Sequence, residues 1–71
     1  KKIMIWGRAY FKGKIIGETT DIGFNTVDEV IKKLVEQFPS DIPTGCAVQF
    51  RLTNCDTQRE IVYERTKGKG F

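Results

Sequence analysis

Seventy-one residues, 39% hydrophobic and 11% aromatic, specify one small domain with a modest core and exclude a disordered chain. The net charge of +3 spreads over twelve basic and nine acidic residues, which permits an acidic partner without requiring one. No apolar run is long enough to span a membrane and no secretory signal pattern is present, so no membrane partner is expected.

The first expected strand runs from Lys2 to Phe11. Ile3, Ile5, Gly7, Ala9 and Phe11 share one face, and Met4, Trp6, Arg8 and Tyr10 share the other. Lys12-Gly13 is a tight-turn pair, and Lys14 to Ile22 then returns antiparallel. A two-residue turn sets Ala9 opposite Ile16 and Ile3 opposite Ile22, and it drops Glu18 onto the apolar side opposite Gly7.

A helix is expected from Val27 to Phe38. Val27, Val30, Ile31, Leu34, Val35 and Phe38 make one apolar stripe at helical spacing. Thr26 with Glu29 reads as a capping box, and Pro39 stops the helix. After a loop from Ser40 to Gly45 comes a third strand, Ala47 to Thr53, with Val48, Phe50 and Leu52 on one face. Asn54 to Thr57 forms a turn, and Arg59 to Arg65 a fourth strand. That register pairs Phe50 with Ile61, Val48 with Tyr63, and Arg51 with Glu60. Residues 1–66 make the domain, and Lys67-Gly68-Lys69-Gly70-Phe71 reads as a flexible basic tail.

The expected fold class is therefore α+β, a β-β-α-β-β domain with one helix on one face of a four-stranded mixed sheet. A right-handed crossover is expected to set strands one and four parallel at the centre. In element order this layout resembles the β-grasp arrangement of ubiquitin-like folds and bacterial immunoglobulin-binding domains.

Chemistry has few candidates. The chain lacks histidine, the commonest general base and metal ligand. Cys46 and Cys55 flank the third strand, which separates their Cα atoms by more than about 20 Å. A disulfide needs about 5.5 Å. Two free thiols point to a reducing, cytoplasmic setting, and two cysteines alone fall short of a zinc site. Gly68 and Gly70 do not lie between a strand and a helix, as a phosphate loop requires. No catalytic residue, metal or cofactor is expected, and the chain reads as a non-enzymatic binding protein of adaptor or inhibitor type.

The binding candidate is the row Met4, Trp6, Arg8 and Tyr10 on the side away from the helix, joined by Arg51 and Val62. Aromatic and Arg side chains on an open face are typical interface anchors. The competing expectation is structural, with Ile15, Thr19 and Val62 packing on the rings or Phe71 of the tail covering them. A protein partner fits this face best, because Glu60 and Glu64 share it. Single-stranded nucleic acid, including RNA, is the alternative, with Lys2, Lys12, Lys67 and Lys69 as added phosphate contacts.

Overall fold

A computed structural model of the protein describes residues 2–19 and 23–71. The elements along it are β1 (Ile5–Phe11), β2 (Lys14–Glu18), α1 (Val27–Val35), β3 (Ala47–Asn54) and β4 (Glu60–Thr66). The strands form one open antiparallel sheet in the spatial order β2-β1-β3-β4, and α1 packs across β1 and β2 on one face.

The expected mixed sheet, with strands one and four parallel at its centre, is corrected. β3 takes the central place beside β1, antiparallel to it, and β4 lies at the edge. The β1–β4 pairing of a β-grasp arrangement is therefore not present. β2 and β3 both run antiparallel to β1 and so parallel to each other, which makes α1 a crossover above β1. The handedness rule governs that crossover and is silent on which later strand joins β1. Burial decides it. Val48, Phe50 and Leu52 of β3 are buried, whereas β4 presents Ile61, Tyr63 and Arg65 to the same side, more exposed. The strand that buries its apolar row completely belongs in the middle.

The Lys12-Gly13 turn has positive φ at both residues, 51° and 79°, the geometry of a type I′ hairpin. Tyr10 pairs with Ile15, but Ala9 pairs with Gly17 in place of Ile16, so Ile16 is the extra residue of a bulge. Beyond it the alternation reverses. Glu18 moves from its expected inward position to the outer face, opposite Arg8. Gly7 instead meets Thr19, with Gly7 N–H donating to Thr19 Oγ1 at 2.9 Å and Thr19 N–H donating to the Gly7 carbonyl at 2.9 Å. The expected partner of Ile3, Ile22, lies outside the described residues; Ile3 exchanges backbone hydrogen bonds with Phe24.

Thr26 caps α1, its Oγ1 accepting the Glu29 N–H at 3.3 Å. The helix ends three residues before the expected Phe38. Gln37 and Phe38 donate to the carbonyls of Leu34 and Val35, a tighter i to i+3 pattern that closes the last turn. Phe38 thereby stays on the apolar stripe and stacks on Phe50, ring centroids 5.8 Å apart.

The β3–β4 register differs from the expected one by two residues, pairing Phe50 with Tyr63, Leu52 with Ile61 and Arg51 with Val62. The cause is local. Asn54 Oδ1 accepts the N–H groups of Asp56 (2.8 Å) and Thr57 (3.0 Å), which shifts the turn to Cys55–Gln58. A slip of two keeps every side chain on its expected face.

The tail turns back on the domain. Lys69 and Gly70 donate to the Thr66 carbonyl, and Gly68 adopts φ 95°. Phe71 then meets Phe38 and Phe50 edge-on at 5.4 and 5.9 Å, so it completes the core on the helix side and leaves the other face uncovered.

Candidate functional site

With α1 on one face, alternation turns Trp6, Arg8 and Tyr10 of β1 to the other, beside Ile15 and Glu18 of β2, Gln49 and Arg51 of β3, and Glu60, Val62 and Glu64 of β4. Both arginines lie over aromatic rings. Arg8 sits 5.2 Å from the Trp6 ring centroid, and Arg51 sits 5.3 Å from that of Tyr10. Each is also tethered sideways. Arg8 Nε donates to Glu18 Oε2 at 2.6 Å, and Arg51 Nε donates to Gln49 Oε1 at 2.8 Å with Glu60 3.9 Å away. The hydrogen bond to Glu18, followed by that to Tyr10, raises the Arg8 pKa above its ordinary value. Both guanidinium groups are thus held in place on flat apolar surfaces.

The face is mixed in charge. Arg8 and Arg51 are outnumbered there by Glu18, Glu60 and Glu64. Its apolar parts are the two rings, Ile15 (53% exposed) and Val62 (48% exposed). A shallow hollow lined by Tyr10, Lys12, Gln49, Arg51 and Glu64 runs along it.

Trp6, Arg8, Tyr10, Arg51 and Val62 come together as the alternation indicates. Met4 lies just before β1, its carbonyl accepting the Cys55 N–H at 2.8 Å, and Lys2 and Met4 both flank Gly23 at that end of the row. Lys12 is in the turn at the other end, its Nζ 5.4 Å from the Phe11 ring centroid. Lys67 is elsewhere, donating from Nζ to the Ile42 carbonyl at 2.6 Å on the helix side, and Lys69 is exposed in the tail turn. Thr19 is buried against Gly7 and does not support the rings. Sequence reasoning missed Glu18 and Gln49. The alternation of β3 would have found Gln49, whereas Glu18 reaches the face only through the bulge.

A second apolar surface lies on the helix side. α1 meets β4 through the Arg65–Asp28 ion pair at 3.5 Å, and a hollow opens between Val27, Leu52, Ile61 and Tyr63, with Ile61 52% exposed. Cys46 and Cys55 are free, half-buried thiols at opposite ends of β3. Among the described residues no three His, Cys, Asp or Glu side chains cluster as metal ligands, and no helix is long and apolar enough to cross a membrane. The chain has no significant match to a family model, a curated protein or a solved structure.

Proposed function

We propose that the protein is a non-enzymatic binding module, of adaptor or inhibitor type, that engages a protein partner through the open face of its sheet. The observation that carries this reading is the pair of arginines held over Trp6 and Tyr10. Trp, Tyr and Arg are the side chains that most often anchor protein interfaces. Ordering them before contact reduces the entropy lost on binding. The three carboxylates around them suit a mixed polar rim and oppose a phosphate backbone, which ranks single-stranded nucleic acid second. The two free thiols support a reducing, cytoplasmic setting.

Trp6→Ala and Tyr10→Ala each remove a ring from a face that the core does not use. Capture from cell extract by the wild type should yield a stoichiometric protein that survives nuclease treatment, and each variant should weaken that complex by about 2 kcal/mol while remaining folded. Recovery of nucleic acid alone, with affinity falling by orders of magnitude between low and moderate salt, would reverse the ranking.

A further inference from the structure

The two edges of the sheet are built differently. β2 has five residues and a bulge, and its last residue is covered: the Gln37 side chain accepts the Glu18 N–H at 3.0 Å and donates to the Glu18 carbonyl at 2.8 Å. Short length, a bulge and a covering side chain are the usual protections of an edge. β4 has seven residues, no proline and an unbroken register with β3. Two bonds fix the phase of that ladder. Asn54 N–H donates to the Arg59 carbonyl and Lys67 N–H to the Cys46 carbonyl, both at 2.9 Å. The odd-numbered residues of β4 therefore turn their backbone groups to β3, and Glu60, Val62 and Glu64 turn theirs outward. Thr66 ends the open run, because the tail turn takes its carbonyl.

A second copy does not fit this edge in the register that would use all three outward residues. Two-fold antiparallel pairing centred on Val62 sets Glu60 against the partner's Glu64, and the symmetry repeats that clash of like charges. A cationic strand fits. Opposite Glu60 and Glu64, on the outer side, Lys or Arg would find carboxylates, of which Glu64 makes no ion pair among the described residues. On the inner side the neighbours are Ile61, half-exposed at the mouth of its hollow, and Tyr63; Arg59 and Arg65 flank them, Arg65 being held by Asp28 at 3.5 Å. We propose that β4 is a docking edge for an extended strand of a partner protein in which Lys or Arg alternates with aliphatic residues. The proposal rests on the reading that the partner is a protein, but it uses the edge and not the Trp6–Tyr10 row.

The test titrates the full chain with capped heptapeptides alternating lysine with valine or glutamate with valine, followed by hydrogen exchange. Bulk attraction to a chain of net charge +3 favours the acidic peptide, whereas the edge favours the basic one. The expected result is binding of the basic peptide with new protection of the Val62 and Glu64 amides. Methylating alternate peptide nitrogens should weaken it roughly tenfold or more. Val62→Pro deletes an outward donor that β3 does not use and should abolish binding. Glu60→Lys combined with Glu64→Lys should reverse the peptide preference, and keeps the test valid if the proline variant unfolds. Preference of the wild type for the acidic peptide, binding without protection of those amides, or no binding of either peptide would overturn the proposal. Binding at the edge should be unchanged in Trp6→Ala and Tyr10→Ala, which keeps a failure here distinct from a failure of the open-face reading.

Discussion

The Glu29 carboxylate accepts the Asn25 backbone N–H at 2.7 Å, and that bond is the main reason its pKa lies below the ordinary value. A carboxyl whose pKa is lower folded than unfolded stabilises the fold fully above the unfolded value, and the contribution disappears as pH falls through the folded one. Glu29→Gln should therefore flatten the acid side of a plot of thermal midpoint against pH and leave its neutral side more nearly parallel to wild type. Equal slopes on the acid side would show that the bond has no part in acid sensitivity. The sequence signals this site well, because Thr26 and Glu29 stand at capping-box spacing; the structure moves the return bond one residue outward to Asn25. Glu18 is the opposite case. No residue type marks a bulge at Ile16, so alternation alone assigns Glu18 to the wrong face.

At the scale of elements, helix and sheet come close together at Gly17 of β2. A methyl group there would stand 3.0 Å from the Leu34 carbonyl oxygen and 3.3 Å from Phe38 Cε1. The first neighbour is helix backbone and cannot turn aside. Gly17→Ala should cost about 1–3 kcal/mol by chemical denaturation, and an unchanged midpoint would mean that α1 sits farther from β2. The helix itself was legible from its apolar stripe and its cap. Its shorter length reflects a tightened final turn that periodicity does not register. The strand faces were legible too, since a two-residue slip preserves them, but the β3–β4 register depends on the Asn54 side chain and was not.

For the molecule as a whole, Phe71 packs against the core. Phe71 closes a three-ring cluster with Phe38 and Phe50, and Lys67 ties the end of β4 to the Ile42 carbonyl. A domain of this size has only a few kcal/mol of net stability, so one half-buried ring is a large fraction of it. Phe71→Ala should cost about 2 kcal/mol in a denaturant titration while leaving the open face intact. A loss near zero would show that the ring adds nothing to the cluster. Composition hid this role, because two glycines and two lysines read as a mobile end, whereas positive φ at Gly68 is what lets the chain curl back.

The order β2-β1-β3-β4 also sets a route for assembly in time: both outer pairings are hairpins between neighbours in the chain, and among the pairings of the four described strands only the β1–β3 seam joins distant segments. Hairpins close in microseconds, while joining distant segments must first overcome loop-closure entropy. The rate of folding should then be governed by the seam, where Ala9 meets Phe50. Conservative truncation of Phe50 should slow folding more than it speeds unfolding, and truncation of Ile61 at the rim should do the reverse. Stopped-flow measurement on the two variants decides between this order and one in which the seam forms before either hairpin.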